Sequence, residues 1–511
     1  YSDVAIINVA DGTMTNLTNS GYFDETMRWV LDGNAILFGS ERYGMRNHAS
    51  WGSQYDVMLV FLNRDAYDRF RLSKEDYELR KELDKKAGKK AEPAAKKDKK
   101  GKKSGGGDDS KDAEQASKDI KVELDGIDKR IVRLTPVSTD LVDAMVTPDG
   151  ETLYFTTNAD EGAYLWKLAL RDGADDGGSM EMLKTVKGGA RFALTPDGKH
   201  AFLVGSTLRK FDPKGAKITP VSYKASKRLD HDAERAYMFD YVAREEAERF
   251  YTADMHGVDW PAMTEAYRKF LPHIANNYDF AELLSEWLGE LNVSHTGGRY
   301  SHPSTSQADR TASLGLLYDY SFAGPGLRVD EVVAGGPFDT AASQMRAGCV
   351  VTAIDGTELS HDTDYAALLA DLAGRKTLVA FRDAAGRSVE EVVLPVSAGA
   401  FSDLLYDRWV DARRAEVDSL SGGRLGYVHI PSMGDDSFRT VYSDLLGRYN
   451  DREGVVVDIR WNGGGRLHED IEVLLSGEKY LTQEIRGVAT CDMPSRRWNK
   501  PSIMLMSEAC Y

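Results

Sequence analysis

Three short segments of the chain share one order of residue types: an apolar run, a tight Asp-Gly turn and a second run with aromatic residues. The turns lie at positions 32–33, 149–150 and 197–198. Asp-Gly between two such runs is typical of a hairpin, so each segment is expected to form strand, turn and strand. One hairpin sheet cannot bury both of its faces, so units of this kind must stack on one another.

The spacing of these turns favours a β-propeller. Asp149 and Asp197 are 48 positions apart, which is close to the blade period of about 40 to 50 residues. Propellers are built from about four to eight blades. Three predicted blades therefore form a partial propeller, and we expect the missing blades to precede Tyr1 in a longer chain. The rival interpretation is an unrelated β protein, since Asp-Gly hairpins are common.

Asp32 and Asp149 are 117 positions apart, because a lysine-dense stretch separates them. Its first part has helical spacing with acid–base pairs, and it is followed by a low-complexity tract that contains few large apolar residues. We interpret residues 69–128 as an insertion or linker. A tether to nucleic acid or a membrane is the alternative.

Composition excludes several classes of function. Acidic residues (81) outnumber basic ones (65), and a formal charge of −16 opposes binding to nucleic acid. No apolar run reaches the roughly 18 residues that a membrane span needs. The three cysteines form no CxxC pair and the histidines no HExxH motif, so no metal and no cofactor is predicted.

In residues 228–308 the apolar side chains recur every three or four positions. This pattern predicts several helices with breaks at 254–257 and 276–279. The last helix ends at Leu291. A polar turn with the sequence NVSHTGG follows and contains Ser294 and His295. By itself, a histidine in such a turn is usually a solvated side chain.

Residues 311–397 predict short strands with one helix. The stretch AGGPFDTAASQMRAGCVVTAIDG closely resembles a PDZ domain. That resemblance implies that the loop at 313–316, with Leu314, Gly315 and Leu316, binds the C-terminus of a peptide through backbone N–H groups, and that the peptide adds a strand. A PDZ-like domain inside a protease can also be a fixed spacer.

Residues 400–511 alternate strands and helices, as in a parallel or mixed α/β sheet. The motif DIRWNGGG is an apolar strand that runs into a glycine turn, and PSIMLMSEACY predicts another buried strand. In such sheets chemistry occurs at the carboxyl ends of the strands, where Gly463–Gly465 and Tyr511 are expected. The turn could also be an ordinary βα turn; a phosphate loop is disfavoured because Arg466 and Leu467 follow the glycines.

The order of these parts closely resembles the tricorn protease family, which is related to the tail-specific and C-terminal processing serine peptidases. The resemblance implies that His295 is the general base and that Ser294 orients its ring. It also implies that the glycine turn supplies an oxyanion-hole amide, which we assign to Gly464 with Gly465 as the alternative. A neutral imidazole can take the proton of a hydroxyl nucleophile and return it to the leaving amine.

The family's nucleophilic serine aligns with the position directly after Tyr511, so we expect residues 1–511 alone to be inactive. Ser507 is predicted to lie inside the last strand, and Cys510 to be a buried structural cysteine out of register for catalysis. A Ser-Lys processing peptidase is a weaker alternative, because the Ser294-His295 turn favours the histidine system.

The sequence therefore predicts a serine endopeptidase of tricorn type that hydrolyses peptides or unfolded polypeptides, or alternatively a non-catalytic propeller–PDZ scaffold. The resemblance implies a homo-oligomer in the cytoplasm, with a periplasmic or secreted protein as the alternative because the true N-terminus is not in view. The predicted fold class is multidomain α+β. Its parts are propeller blades at 1–68 and 129–222, the insertion at 69–128, the helical part of a protease core at 228–308, the PDZ-like domain at 311–397 and an α/β core with a mixed sheet at 400–511.

Overall fold

The computed structural model divides the chain into two compact units, Tyr1–Tyr223 with Glu416–Tyr511, and Lys224–Ala415. The predicted turn at 197–198, the lysine-dense tract at 91–119 and His361 lie outside the described residues. The structure describes residues 2–48, 53–90, 120–159, 162–171, 180–186, 190–195, 200–213, 215–302, 310–360 and 362–511.

The first unit begins with a hairpin and a four-stranded antiparallel sheet. The hairpin joins β1 (Ala5–Ile7) to β2 (Met14–Asn16), and its flanking residues Val4 and Leu17 pack on the sheet around Phe38. The predicted Asp-Gly turn at 32–33 connects the first two strands of the sheet. In order, these strands are β3 (Asp24–Val30), β4 (Ala35–Ser40), β5 (Asp56–Phe61) and β6 (Ile131–Arg133).

The insertion between β5 and β6 starts with two helices, α1 (Arg64–Phe70) and α2 (Lys74–Lys90). The sequence suggested a single helix in this segment. The structure breaks it because the Ser73 hydroxyl accepts a hydrogen bond from the Asp76 N–H and so caps a second helix.

Two further four-stranded antiparallel sheets follow, and the Asp-Gly turn at 149–150 connects the first two strands of one of them. Apolar side chains fill the spaces between successive sheets. In chain order the strands are β7 (Leu141–Val146), β8 (Thr152–Ala159), β9 (Gly162–Ala169), β10 (Met180–Val186), β11 (Arg191–Leu194), β12 (Ala201–Val204), β13 (Leu208–Asp212) and β14 (Lys217–Pro220).

A buried carboxylate joins the three sheets. Asp143 on β7 accepts hydrogen bonds at 2.6 Å from the Arg28 guanidinium of β3 and at 2.7 Å from the Phe192 N–H of β11. Stacked four-stranded sheets linked at their first strands are the arrangement expected of successive propeller blades.

The second unit begins with three helices, α3 (His231–Arg249), α4 (Trp260–Arg268) and α5 (Asn277–Gly289). The Asp230, Asp259 and Asn276 side chains cap their N-termini. The core is a stack of aromatic rings in which Trp287 lies 4.1 Å from Phe239 and 4.7 Å from Trp260. The order of helices and breaks follows the predicted periodicity.

Short strands form the rest of this unit around a core that includes Phe338, Val351 and Phe381. The main sheet has the order β16-β17-β18-β20-β21, with β19 on β18, and β15 pairs with β22. The elements are β15 (Ala312–Ser313), β16 (Leu316–Tyr318), β17 (Leu327–Val332), β18 (Val350–Ile354), β19 (Thr357–Glu358), α6 (Tyr365–Leu368), β20 (Thr377–Arg382), β21 (Ser388–Val393) and β22 (Val396–Ser397).

Helix α7 (Ala398–Ser421) contains the boundary between the units, and the chain then forms a three-stranded parallel sheet with the order β23-β24-β27. A separate antiparallel hairpin joins β25 to β26. The elements are β23 (Leu425–His429), α8 (Asp435–Ser443) with a π-helical turn at Asp444–Arg448, β24 (Gly454–Asp458), α9 (His468–Leu475), β25 (Leu481–Ile485), β26 (Val488–Met493) and β27 (Ser502–Leu505).

The multidomain α+β class predicted from the sequence is confirmed. One prediction about the last strand is wrong. The sequence predicts a buried strand, but Ile503 is 60% exposed and Met504 is 51% exposed. The reason is that β27 is at the edge of its sheet, so its pairing with β24 does not cover its faces.

Candidate functional site

The histidine turn, residues 292–298, follows the C-terminus of α5. The Ser294 Oγ and His295 Nδ1 atoms lie 3.1 Å apart, and both residues are exposed. His295 has a φ of +68°, which L-residues rarely adopt. The turn is anchored to α5 because the Ser285 hydroxyl donates to the Gly298 carbonyl and accepts from the Gly298 N–H.

The sequence did not identify His256 as a residue of this region. Its Nδ1 donates to the Leu291 carbonyl at the end of α5, at 2.9 Å, and its Nε2 contacts the Tyr251 hydroxyl. His256 has a φ of +58° and lies in the predicted break between α3 and α4. The sequence shows only a histidine in a helix break. It does not reveal that the partner of this histidine is a carbonyl 35 positions away.

The glycine turn, residues 462–465, follows β24 and is braced by one buried side chain. Asn462 is 5% exposed. Its Nδ2 donates to the Ile430 carbonyl at 2.7 Å, and its Oδ1 accepts the Gly464 N–H at 2.8 Å. One amide side chain therefore links the loop after β23 to the loop after β24.

Backbone hydrogen bonds complete this link. The Gly463 N–H donates to the Pro431 carbonyl at 2.9 Å, the Met433 N–H to the Gly464 carbonyl at 2.8 Å and the Arg466 N–H to the Met433 carbonyl at 2.9 Å. In a parallel ladder, alternate residues direct their N–H groups to opposite sides. The Gly465 N–H accordingly points away from Met433, and no acceptor for it is found among the residues that the structure describes.

Neither glycine can be replaced without strain. Gly464 has a φ of +81° and Gly465 a φ of +138°. A Cβ atom on Gly465 would lie 2.3 Å from the Met433 carbonyl oxygen, and one on Gly464 would lie 2.8 Å from the Tyr511 ring. The backbone conformation and the close packing both require glycine here.

An ion pair with a buried carboxylate lies at the end of β24, just before the glycine turn. The Arg460 guanidinium contacts Asp458 at 2.6 Å, and the Tyr427 hydroxyl donates to the same carboxylate at 2.7 Å. Burial raises the pKa of Asp458, but the hydrogen bonds from Arg460 and Tyr427 outweigh it and leave that pKa below its ordinary value. Burial, followed by the Asp458 contact, raises the pKa of Tyr427. The sequence named this motif only as a strand.

Residues 507–511 lie against the glycine turn. The Tyr511 N–H donates to the Asn462 carbonyl at 2.9 Å, and the Cys510 thiol donates to the Ile459 carbonyl at 3.1 Å. Cys510 is half-buried rather than buried, and the hydrogen bond from the Ser507 N–H holds the pKa of its thiol below the ordinary value. Ser507 was predicted inside the strand, but β27 ends at Leu505 and Ser507 belongs to the following turn.

The predicted peptide-binding loop is tightly built. Leu314 and Leu316 are buried in the core, and Gly315 has a φ of +68°. The Gly315 N–H already donates to the Ser313 hydroxyl at 3.1 Å, so donating to a peptide carboxylate would require it to give up that bond. Beside β16, the hydroxyls of Tyr320 and Tyr365 lie 3.1 Å apart.

The structure therefore brings Ser294 to His295 in one unit and Gly464 to Tyr511 in the other. Leu314, Gly315 and Leu316 belong to the unit that holds His295. Among the described residues, no cluster of three or more His, Cys, Asp or Glu side chains is placed to hold a metal ion. In that same part of the chain, no helix has both the length and the apolar character needed to cross a membrane.

Two family models match parts of the chain. The Tricorn protease C1 domain matches residues 231–289, which covers α3 to α5, and Peptidase family S41 matches residues 424–511, which covers the parallel sheet and the glycine turn. The two matched ranges thus include the helices before the histidine turn and the whole of the glycine turn.

Curated relatives are similar to longer stretches. Tricorn protease homolog 1 of Streptomyces coelicolor is 31% identical over 57% of this chain and 28% of its own length. A putative tricorn-like protease C-terminal subunit of Sulfurisphaera tokodaii is 26% identical over 69% of this chain and 42% of its own length. The chain thus spans less than half the length of these relatives.

Among solved structures, the crystal structure of the tricorn protease matches with a TM-score of 0.68 and 16% identity, over 99% of this chain and 47% of that one. At this identity the likeness shows the fold alone. Together with the family and sequence matches, it shows that this chain is similar to tricorn proteases and that residues 424–511 resemble peptidase family S41.

Proposed function

We propose that this chain is part of a serine endopeptidase that hydrolyses peptides or unfolded polypeptides. In this proposal His295 is the general base, Ser294 orients its ring and the glycine turn supplies an oxyanion-hole amide. The nucleophile is a serine directly after Tyr511 in a longer chain. The match of residues 424–511 to Peptidase family S41 and the similarity to tricorn proteases support this assignment.

One observation carries the proposal. The Tyr511 N–H is bound to the Asn462 carbonyl and the Tyr511 ring lies against Gly464, so the residue after Tyr511 would lie next to the glycine turn. An oxyanion hole needs its N–H donors about 3 Å from the carbonyl oxygen that the nucleophile attacks. A substrate carbonyl attacked by a nucleophile at this position would have its oxygen close to the glycine turn.

The hydrogen bonds of the turn favour Gly465 over Gly464 as the donor. The Gly464 N–H is already bound to the Asn462 side chain, whereas the Gly465 N–H is directed away from the ladder. A donor that already has a good acceptor would have to give it up to bind the transition state, which costs free energy. This reverses the order of preference that the sequence suggested.

The proposed base acts through simple proton transfers. The imidazole accepts the serine proton as the acyl-enzyme forms and returns it to the amine that leaves. The Ser294 Oγ, 3.1 Å from Nδ1, can hold the ring in one orientation. The serine hydroxyl is the group that forms the acyl-enzyme in this proposal.

The test is labelling by a serine-directed fluorophosphonate of a chain extended through the residues after Tyr511. We expect labelling of the extended chain and its loss, by at least about a hundredfold in rate, in His295→Ala. His273→Ala, in the same helical region, is the matched control and should label normally. Equal labelling of both variants would show that His295 is not the base.

We also propose that β16 can accept a peptide strand next to the loop of Leu314, Gly315 and Leu316. The position of β16 at one end of the strand order supports this, since an edge strand can pair with an added one. Fluorescence anisotropy with a peptide that has a free C-terminal carboxylate, against its amidated copy, tests it. Equal anisotropy for both would contradict carboxylate recognition.

A scaffold without peptidase activity is the remaining alternative, and it predicts peptide binding with no fluorophosphonate labelling. We further propose, from the tricorn resemblance alone, that the protein forms homo-oligomers and works in the cytoplasm. Light scattering coupled to size-exclusion chromatography tests the first point; a single monomer mass at micromolar concentration would contradict it.

A further inference from the structure

The two loops that form the glycine turn lead directly into two helices. The loop after β23 reaches Met433 and then α8, which begins at Asp435; the loop after β24 reaches Gly465 and then α9, which begins at His468. The hydrogen bonds between Met433 and residues 464–466 join the loops to each other. Any change in the spacing of the two helix N-termini is therefore transmitted to the glycine turn.

His48, on the long connection between β4 and β5, contacts both helix N-termini. Its main-chain N–H donates to the Asp435 carboxylate of α8 at 2.8 Å. Its ring lies 4.0 Å from the Phe438 ring of α8, at an angle of 32°. Its Nδ1 is 3.5 Å from the Asp470 carboxylate of α9.

The connection that carries His48 is anchored to its own sheet. The Gln54 N–H donates to the Met45 carbonyl at 3.0 Å, and the buried Glu41 carboxylate accepts the Ser53 hydroxyl at 2.7 Å. Arg46 also lies 3.4 Å from Glu41. Described residues on both sides of His48 in this connection are thus hydrogen-bonded or ion-paired to one another and to the buried Glu41.

Both oxygens of the Asp435 carboxylate accept hydrogen bonds, one from the His48 N–H and one from Arg439. Burial raises the pKa of Asp435, but the hydrogen bonds from Arg439 and from the His48 N–H outweigh it and leave the pKa below its ordinary value. The Arg439 Nε contact, at 2.5 Å, fixes the second carboxylate oxygen. The first turn of α8 therefore carries a carboxylate that is hydrogen-bonded by Arg439 of the same helix and by His48 from the connection between β4 and β5.

We propose that His48 is a positioning residue that sets the spacing of the α8 and α9 N-termini and thereby the orientation of the Gly465 N–H. The inference rests on the proposed function for its catalytic meaning, but its structural part does not. Through its main-chain N–H and its ring, His48 connects the propeller-like sheets to the two helices that follow the loops of the glycine turn. A group shift of about 1 Å at a reacting site can cost about a hundredfold in rate.

A packing role alone would give a different result. If His48 only adds contact area, its removal would lower the overall stability and would speed hydrogen exchange throughout the unit to a similar degree. If it positions the turn, its removal would loosen residues 459–467 selectively. Local opening of this kind is measured by hydrogen exchange.

The experiment is hydrogen–deuterium exchange with mass spectrometry on the 511-residue chain, which requires no peptidase activity. We expect His48→Ala to speed exchange in residues 459–467 about tenfold, since it removes the ring contact and the carboxylate contact. Residues 481–493 and the blade strands should exchange as before. Asp470→Asn is a second variant that keeps His48 and should speed exchange in the same segment by about threefold.

His200→Ala, on an exposed histidine of the third sheet, is the matched control and should leave residues 459–467 unchanged. Unchanged exchange in both variants, or a uniform increase across the unit, would overturn the proposal. In the extended chain, His48→Ala should lower kcat with KM unchanged. If the extended chain hydrolyses nothing, the proposed function fails while the exchange result still decides the role of His48.

Discussion

The histidine turn carries the proposed general base and the glycine turn carries the proposed oxyanion-hole N–H, and the two turns differ in how firmly they are held. The histidine turn is exposed, and its proposed functional pair, Ser294 and His295, contact each other next to one anchor on α5. The glycine turn is braced by the buried Asn462 and by a ladder to the preceding loop, and it follows the ion pair of Asp458 with Arg460.

The difference follows from what each group must do. An oxyanion-hole donor must be rigid before the substrate arrives, because reorganisation during the reaction removes its advantage. A general base must lie within hydrogen-bond reach of the proton that it accepts, and an exposed turn leaves His295 accessible to substrate and solvent. We therefore expect substitutions in the glycine turn to change stability much more than those in the histidine turn.

The largest effect is expected from Asp458→Ala, which leaves Arg460 and Tyr427 without their shared acceptor. Breaking such a pair costs about 3 kcal/mol when one partner is partly exposed, as Arg460 is. The measurement is the free energy of opening of β24 by hydrogen exchange, with the exposed Asp451→Ala as control. A change below about 1 kcal/mol would show that the ion pair contributes little to the stability of β24.

The same carboxylate predicts a pH dependence. Because the pKa of Asp458 is lowered by folding, its contribution is present above the ordinary value of 3.8 and is lost as the pH falls below it toward the lowered value. Opening of β24 at pH 3 should therefore be easier than at pH 6 in the native chain. Asp458→Asn should show less of this dependence.

Gly465→Ala is expected to cost about 2.5 kcal/mol, because the new Cβ meets a carbonyl oxygen that cannot move and the φ is unfavourable. Gly487→Ala, in the turn between β25 and β26, is the matched control. It has a φ of +79° but no atom within 4 Å of the added Cβ, so about 1 kcal/mol is expected. Equal costs would mean that packing around Gly465 is loose.

Asn462→Ala should cost about 2 kcal/mol, since it leaves the buried Ile430 carbonyl and the Gly464 N–H without their partner. The matched change in the other turn is Asn292→Gly, at an exposed residue with a φ of +47°. Glycine suits that conformation, so no loss is expected. Thermal unfolding and exchange of residues 459–467 measure the difference.

The smallest effect is expected from Ser294→Ala, within about 0.5 kcal/mol, because both partners of its hydrogen bond are exposed. Differential scanning calorimetry of the 511-residue chain should show no shift beyond about 1 °C. A large shift would mean that the histidine turn is a structural element, and the contrast between the two turns would disappear.

Much of the local structure could be predicted from the sequence. The Asp-Gly turns at 32–33 and 149–150, the end of α5 before Ser294, and the glycine turn after a buried strand all follow from residue preferences within a few positions. The exposure of β27 could not be predicted, because an apolar run does not say whether its strand is central or at an edge.

The site was less predictable than the fold. Ser294, His295 and the glycines were named from a resemblance, and their roles stay predictions. His48, His256 and Asn462 were not singled out, because their partners lie 387, 35 and 32 positions away. A hydrogen bond between a side chain and the backbone of another element leaves no periodic pattern in the sequence.

The sequence by itself determined where the chain turns and where glycine is required, because φ preferences and the alternation of apolar residues act over a few positions. Only the tertiary structure decided which glycine N–H is bound and which is directed away, since that depends on the Asn462 side chain reaching Ile430. It also decided that a histidine of the first sheet lies between two helices of the peptidase region. Contacts between distant positions form only when the packed elements bring them together, and no local preference encodes them.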